Sequence, residues 1–317
     1  MDAGTILDAA ILASVVRLVS PILLAALGGL LTERAGIFNV ALEGLMLTGS
    51  FAAVVATSRT GDPAIGVLVA VLAAMAVALV FAIVVVDLGG DAIVAGLAIN
   101  LLALGATTFL MRVILGVQGG YYDPTMPGLA AIELPFLAQV PVLGPMFDGQ
   151  TILVWVALAL VGVLQVLLFH HPFGIRVRAV GEDPVAAGSV GVRVRRVQYL
   201  AVLGSGMLCG LAGAQLSLGI VTQFVEGMTF GRGFIALVAV MFGRAHPLGV
   251  LGASVLFGGA YAVAVRLQGQ GIPSQFVNML PYLATIVVLV AVYGRAASRR
   301  RARSALAEGP AEVEVAT

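Results

Sequence analysis

Long apolar runs separated by short polar stretches dominate the pattern of the chain. A helix needs about 20 mostly apolar residues to cross the hydrocarbon core of a bilayer. Eight runs are long enough, and they cover Ala9–Leu31, Val40–Thr57, Ala64–Val86, Ala92–Leu115, Thr151–Phe169, Gln198–Ile220, Leu248–Val265 and Val277–Tyr293. A shorter run covers Thr229–Phe242. The pattern predicts an all-α, polytopic bundle of transmembrane helices.

The arginines indicate how the bundle is oriented, because loops rich in basic residues stay in the cytoplasm. Arginines cluster in the loop between Arg176 and Arg196 and again in the tail between Arg295 and Arg303. Two cytoplasmic points require an even number of crossings between them, so Thr229–Phe242 should also cross. This predicts nine helices with the N-terminus outside; eight or ten remain open.

This threading predicts one transmembrane domain over residues 1–317 with two halves of inverted topology. Four crossings precede the Thr151–Phe169 helix and four follow it, entering from opposite sides, which is the arrangement of inverted repeats. The predicted parts are a first half (9–115), an external loop (116–150), a connecting helix (151–169), a cytoplasmic loop (170–197), a second half (198–294) and a basic cytoplasmic tail (295–317).

Composition supports a membrane protein and excludes several other classes. The chain is 60% hydrophobic and 10% charged, with a mean hydropathy of +1.08, which is typical of polytopic membrane proteins. A net charge of +1 argues against a nucleic-acid partner. All 17 basic residues are arginine, so the chain has no Walker A lysine. Asp2 and Asp8 argue against a cleavable signal peptide.

Enzymatic and metal chemistry have little support in the sequence. The single cysteine, Cys209, excludes a disulfide framework and a cysteine-based metal site. The histidines show no spacing with Glu that suits zinc, and no Ser, His and Asp group on one side. We therefore expect no catalytic residues, no metal and no cofactor.

Polar residues interrupt the first two apolar runs. Asn39 and Glu43 are one turn apart and project from the same helix face. An ionisable group at membrane depth is costly and usually faces a cavity or a partner. One interpretation is a broken helix that lines a solute path; the other is a cytoplasmic turn in which Glu33 or Glu43 pairs with Arg34. Asn100 either faces the same path or hydrogen-bonds a neighbouring helix.

A second interruption stands in the corresponding place of the second half. Gln223 and Glu226 lie between the sixth and seventh crossings, as Asn39 and Glu43 lie between the first and second. This position makes Gln223 and Glu226 further candidates for the solute path. The alternative is that Glu226 pairs with Arg232.

The arginine-rich loop contains signals for a short capped helix. Asp183 and Pro184 form an N-cap followed by the first helical position, and Gly191 is placed to end the helix. Between them lie small residues that include Ala186 and Ala187. Such a helix suits insertion into a groove on another protein; the alternative is a solvated connection.

These segments resemble a known family. Glu33–Met46 is similar to the Glu-Arg-x-Gly-x-x-Asn-x-x-x-Glu-Gly-x-Met block of ABC importer permease subunits for simple sugars, nucleosides and branched-chain amino acids, closest to the nucleoside-type branch. Arg178–Gly191 resembles the cytoplasmic coupling segment of that family, and Arg232–Gly249 matches a third block. The resemblance implies a vitamin-B12-importer-like (type II) fold and the following residues in contact with the ATPase: Glu182, Asp183, Pro184, Ala186, Ala187 and Gly191.

The resemblance also implies partners and a function. The partners are ABC ATPase subunits, a second permease subunit (identical or paralogous) and an extracellular substrate-binding protein, assembled in the bacterial plasma membrane. The expected function is alternating-access import of a nucleoside or simple sugar, with ATP hydrolysed on the separate ATPase subunits. Simple sugars and branched-chain amino acids stay open as substrates. An ion-coupled secondary transporter is the rival class, with Glu43 as its coupling carboxylate.

Overall fold

The computed structural model of the chain describes residues 9–133 and 146–267. Their helices are α1 (Ala9–Arg34), α2 (Leu42–Thr60), α3 (Pro63–Ala82), α4 (Ala92–Leu110), α5 (Ile152–Phe169), α6 (Pro172–Glu182), α7 (Pro184–Ser189), α8 (Val194–Ala214), α9 (Arg232–Phe242) and α10 (Pro247–Leu267). Helices α3, α4 and α8 each continue into a π-helical turn, at Ile83–Asp87, Met111–Leu115 and Gln215–Ile220.

Six helical segments within these residues are long and apolar enough to cross a membrane. They are Leu12–Arg34, Pro63–Asp87, Ala92–Leu115, Ile152–Phe169, Val194–Ile220 and Pro247–Leu267. They match six of the predicted runs and confirm the all-α polytopic bundle. The predicted crossing Val277–Tyr293, the basic tail and the N-terminal residues before Ala9 lie outside the described residues.

Helix α2 corresponds to the predicted Val40–Thr57 crossing but is less apolar than these six. It is 19 residues long and includes Glu43 and Arg59. It packs against α3, α4 and α8, and most of its residues are buried. Because protein rather than lipid surrounds much of this helix, it can carry polar side chains that a lipid-facing helix would not.

Helix α9 is shorter than predicted. The run Thr229–Phe242 was expected to cross the bilayer as a helix, but the helix starts only at Arg232 and has 11 residues. At 1.5 Å per residue it spans about 17 Å, roughly half of the hydrocarbon core. Left-handed backbone at Gly227, Phe230 and Gly231 explains the late start, because a right-handed helix cannot include these conformations.

Two ring contacts join α9 and α10. The Arg232 guanidinium lies 4.3 Å from the ring centroid of Tyr261. At the other end of α9, the ring of Phe242 packs against that of Phe257 at 5.9 Å. The turn between the helices contains Arg244 and Ala245, both with positive φ. Thus α9 begins inside the bundle and ends at the turn.

Two short β-ladders tie down the loop that follows α4. Strand β1 (Gly120–Tyr121) pairs antiparallel with β4 (Phe224–Val225), and β2 (Ala131–Ile132) pairs antiparallel with β3 (Gln150–Thr151). Within this loop the Thr125 hydroxyl donates to Asp123, which lowers the pKa of that carboxyl. The first ladder connects the loop to the segment that leads into α9.

The contacts divide the chain into two units, Met1–Ala262 and Val263–Thr317. The first contains a core built by α1, α2, α3 and α8. In the second, the described residues are the last turn of α10.

Glycines let the helices of the core approach closely. A Cβ at Gly210 of α8 would stand 2.7 Å from the Cα of Val71 and 2.8 Å from the carbonyl oxygen of Ala70, both on α3. A Cβ at Gly49 of α2 would stand 2.9 Å from the Cα of Gly210. Small residues at such crossings allow backbone-to-backbone van der Waals contact, which favours helix association in lipid.

We expect Gly210→Ala to destabilise the bundle by about 1–3 kcal/mol, because the added methyl group forces α8 away from α3. Thermal unfolding of the detergent-solubilised protein measures this as a lower midpoint. The matched control is Gly105→Ala in α4, where an added Cβ meets nothing within 4 Å. Equal midpoints for the two variants would contradict the close packing of α8 on α3.

Candidate functional site

Two polar regions stand out. We call the first the junction; it comprises Asn39, Glu43, Asn100 and the residues Gly231–Gly233, where the first turns of α2 and α9 meet. The second, the coupling segment, is Pro172–Gly191 and contains α6 and α7. Helix α9 runs between them.

Glu43 holds the start of α9. Its Oε1 accepts a hydrogen bond from the backbone N–H of Gly231 at 2.8 Å, and its Oε2 accepts one from Gly233 at 2.6 Å. The first N–H groups of a helix have no partner within the helix, and a carboxylate there is favoured by the helix dipole. A side chain from the first turn of α2 therefore caps α9. Gly233 leaves room for it, since a Cβ there would collide with the backbone of Glu43.

Asn39 and Asn100 support the backbone of the break between α1 and α2. Asn39 Oδ1 accepts from the N–H of Ala41 at 2.9 Å, and its Nδ2 donates to Ser205 Oγ at 3.1 Å. Asn39 is only 2% exposed. Asn100 Oδ1 accepts from the N–H of Gly44 at 2.8 Å, and its Nδ2 donates to the carbonyl of Val40 at 2.9 Å. Both amides thus replace hydrogen bonds that the interrupted helix lacks.

These contacts bear on the two interpretations that the sequence left open for Asn100 and Glu43. Asn100 does hydrogen-bond a neighbouring helix. Glu43 bonds to the start of α9, and its side chain remains half-buried. The structure therefore brings Asn39, Glu43 and Asn100 together around the first turn of α2.

Gln223 and Glu226 lie on the other side of the irregular stretch before α9. The backbone N–H of Gln223 donates to Ser217 O at 3.1 Å. Glu226 Oε1 accepts from the N–H of Gly119 at 3.0 Å, next to the β1–β4 ladder. These hydrogen bonds join Gln223 to the π-helical turn after α8 and Glu226 to the loop after α4.

The coupling segment has the predicted caps. Asp183 Oδ1 accepts from the N–H groups of Val185 and Ala186 at 2.9 and 3.0 Å. Pro184 is the first residue of α7, and Gly191 follows the helix with a φ of +85°. Local sequence signals were sufficient here because each cap is completed by residues close in the chain.

Exposed side chains of α7 and of its caps form the surface of the coupling segment. Ala187 is 4% exposed and belongs to the core of its own chain, so it packs α7 against the bundle. Val185 and Val190 are 78% and 81% exposed. Ala186 and the capping residues Asp183 and Pro184 are exposed beside them. The available surface is therefore centred on two valines.

The coupling segment contacts the ends of α1 and α9. Gly181 of α6 packs so closely on the end of α1 that a Cβ would collide with the carbonyl of Arg34. Arg34 Nε in turn donates to the carbonyl of Ala245 at 2.6 Å, in the turn after α9. The guanidinium groups of Arg34 and Arg178 lie 5.5 and 5.0 Å from the ring centroid of Phe169. The far end of α9 is thus linked to α6 through Arg34.

This link has no direct signal in the sequence. One interpretation of the sequence pairs Arg34 with a glutamate, whereas its observed acceptors are backbone carbonyls of Arg244 and Ala245, some 210 residues away. A cavity of about 300 Å³ adjoins the link. Its walls carry both carboxylates and guanidinium groups, and the lining residues are Glu33, Arg34, Arg178, Gly181, Glu182, Val240, Met241, Arg244 and Ala245.

Under the transport function that the resemblance implies, we expect Arg34→Gln to reduce transport about tenfold while the protein still assembles in the membrane. Glutamine is too short to keep the charged hydrogen bond to Ala245, which is worth roughly 1.5 kcal/mol. Initial uptake rates, normalised to protein in the membrane, measure the effect. Arg59→Gln is the control, because Arg59 also donates to a backbone carbonyl, that of Ile114, but at the other end of α2. Equal rates for both variants would contradict the link.

Known proteins similar to this chain are permease subunits of transport systems. Residues 11–290 match the model of the family described as branched-chain amino acid transport system, permease component. The guanosine ABC transporter permease protein NupQ of Bacillus subtilis (strain 168) is 36% identical over 309 residues, which cover 93% of this chain and 95% of the relative.

Two further relatives have similar coverage. The nucleoside ABC transporter permease protein NupC of Lactococcus lactis subsp. cremoris is 35% identical, over 87% of this chain and 90% of the relative. The putative glucose ABC transporter permease protein TsgC13 of Haloferax volcanii is 34% identical, over 89% and 91%. No solved structure matches the chain at a significant level.

Proposed function

The chain belongs to the family of permease components of branched-chain amino acid transport systems, and on that premise we propose that it carries nucleosides into the bacterial cell as the membrane-spanning subunit of an ABC importer. NupQ and NupC, whose names specify guanosine and nucleosides, support the nucleoside as cargo. The Glu33–Met46 block of the nucleoside-type branch supports the same cargo. A simple sugar is the second candidate, since a putative glucose permease is nearly as similar.

The observation that carries the mechanism is that α9 is held at both ends. Glu43 caps its start, and Arg34 holds the turn that follows it. A half-length helix between two such contacts can move as a rigid rod. Movement of the coupling segment shifts the end of α1, because Gly181 packs on Arg34. Arg34 then shifts the turn after α9 through its hydrogen bond to Ala245. As a result, α9 changes its position relative to α2. This movement opens the path on one side and closes it on the other.

The solute path passes the junction. Gln223 is half-buried and offers its amide to the hydroxyl and base edges of a nucleoside. Glu43 is also half-buried and shapes the path by holding the start of α9. Asn39 and Asn100 act on the path indirectly, because their hydrogen bonds fix the break between α1 and α2. Glu226 stabilises the loop after α4 by accepting a hydrogen bond from the N–H of Gly119. The groups that a solute meets are thus few and polar, which allows weak binding and release.

The partners follow from the family and from the exposed surfaces. An ABC permease works with ATPase subunits, which hydrolyse ATP and dock on Val185 and Val190, and with an extracellular substrate-binding protein. A second permease subunit, identical or paralogous, completes the membrane core. The arginine-rich coupling segment lies in the cytoplasm, as does the C-terminal tail, and the N-terminus lies outside.

Competition in whole cells tests the cargo. Cells that express this chain with its partner subunits should take up labelled guanosine, and excess unlabelled adenosine or uridine should reduce that uptake. Excess ribose, glucose or leucine should not. Uptake of a sugar or of leucine without any uptake of nucleosides would overturn the proposed cargo.

A further inference from the structure

A groove outside the proposed path lies where α6, α7 and α8 meet. Its volume is about 460 Å³. Three arginines and several apolar residues line it, namely Phe173, Arg176, Val190, Gly191, Val192, Arg193, Arg196, Val197 and Leu200. This lining contains no carboxylate within the described part of the chain. The groove therefore combines strong positive charge with an apolar wall.

The three guanidinium groups are available to a ligand. Arg176, Arg193 and Arg196 are exposed, and across residues 9–133 and 146–267 none of the three has a hydrogen-bond or ion-pair partner. Their neighbour Arg195 differs, since it pairs with Asp87 at 3.6 Å. Guanidinium groups bind phosphate oxygens in a bidentate manner. The groove thus presents three guanidinium groups to one anionic group.

The position of the groove decides which anion fits. The membrane-crossing segment Val194–Ile220 begins there, so Arg193 and Arg196 stand at the depth of the lipid headgroups. Leu200 lies about one turn further into the membrane on α8 and is 55% exposed. An anion in this groove would have apolar surface directly below it, on the membrane side. A soluble phosphate gains nothing from contact with an apolar surface, whereas an acyl chain is stabilised by it.

We propose that this groove binds the headgroup of an anionic phospholipid, with the phosphodiester against Arg176, Arg193 and Arg196 and one acyl chain against Leu200. Basic pockets beside transmembrane helices bind anionic headgroups in this way. Val190, the residue after α7, forms part of the groove wall, so the bound lipid supports the coupling segment from the membrane side. The site is independent of the transported solute.

Lipid retention measured by native mass spectrometry tests the proposal. The full chain, purified in detergent, is titrated with phosphatidylglycerol or phosphatidylcholine of the same acyl chains. We expect phosphatidylglycerol to be retained preferentially. In the variant Arg193→Gln/Arg196→Gln its apparent affinity should fall about 25-fold, since each arginine at the surface contributes about fivefold. Arg112→Gln, an exposed arginine on the π-helical turn after α4, is the control and should retain the lipid.

Each outcome has a defined meaning. Equal retention of phosphatidylglycerol by the double variant and the control would overturn the site, as would equal retention of the two lipids by the unaltered chain. Displacement of the lipid by millimolar glycerol phosphate would assign the groove to soluble phosphates instead. Loss of ATPase subunits from the double variant with unchanged lipid retention would make the groove a protein contact. Because Arg193 and Arg196 are exposed, the thermal unfolding midpoint of the double variant in phosphatidylcholine should equal that of the unaltered chain.

Discussion

The substitution Val185→Glu should abolish ATP-driven uptake, to below about a tenth of the unaltered rate, while the protein still folds and inserts. Val185 is 78% exposed at the start of α7, and under the proposed function it becomes buried when the ATPase docks. A carboxylate without a partner in a buried contact costs several kcal/mol. The measurement is the initial uptake rate, together with the amount of ATPase that copurifies.

Two further variants separate docking from folding. Val185→Thr keeps the shape of the side chain without a charge, so it should retain most of the uptake. Ala187→Glu changes a side chain in the core, so it should lower the thermal midpoint as well as uptake. Wild-type uptake by Val185→Glu would show that the exposed face of α7 is not the docking surface.

The substitution Glu43→Ala should impair transport by disconnecting α9 from α2. It removes both acceptors of the Gly231 and Gly233 N–H groups. The variant loses two strong hydrogen bonds and leaves two N–H groups without a partner inside the bundle. Together these losses cost roughly 2–4 kcal/mol. We expect a lower thermal midpoint and a maximal uptake rate reduced about 30-fold or more.

The form of the kinetic change distinguishes capping from solute binding. If Glu43 acts through α9, the maximal rate falls and the half-saturating nucleoside concentration changes little. Glu43→Gln keeps one acceptor oxygen and should have an intermediate rate. An increase in the half-saturating concentration with an unchanged maximal rate and midpoint would instead make Glu43 a solute ligand and contradict its role as a cap.

Much of the fold could be predicted because its signals are local. Runs of apolar residues indicate membrane helices, and the caps at Asp183, Pro184 and Gly191 are each completed within a few residues. Glu43 could be singled out because a carboxylate in an apolar run needs a partner. The energetic cost of placing a charged group at membrane depth thus identifies the residues that need a partner.

The contacts that explain them could not be predicted in the same way. The partners of Glu43 are backbone N–H groups about 190 residues further along the chain, and backbone donors have no sequence signature. The half-length of α9 follows from positive φ at Phe230, in a residue type that rarely adopts it. The apolar run around that residue predicted only an ordinary helix. Tertiary structure sets both features.

Energy coupling is the most direct test of the account as a whole. Proteoliposomes that contain the permease with its ATPase subunits, supplied with binding protein and labelled nucleoside, should accumulate nucleoside only when ATP is present on the ATPase side. Ionophores that collapse all ion gradients should leave this uptake unchanged. Uptake driven by an ion gradient without ATP would contradict the account and make Glu43 the coupling carboxylate of a secondary transporter.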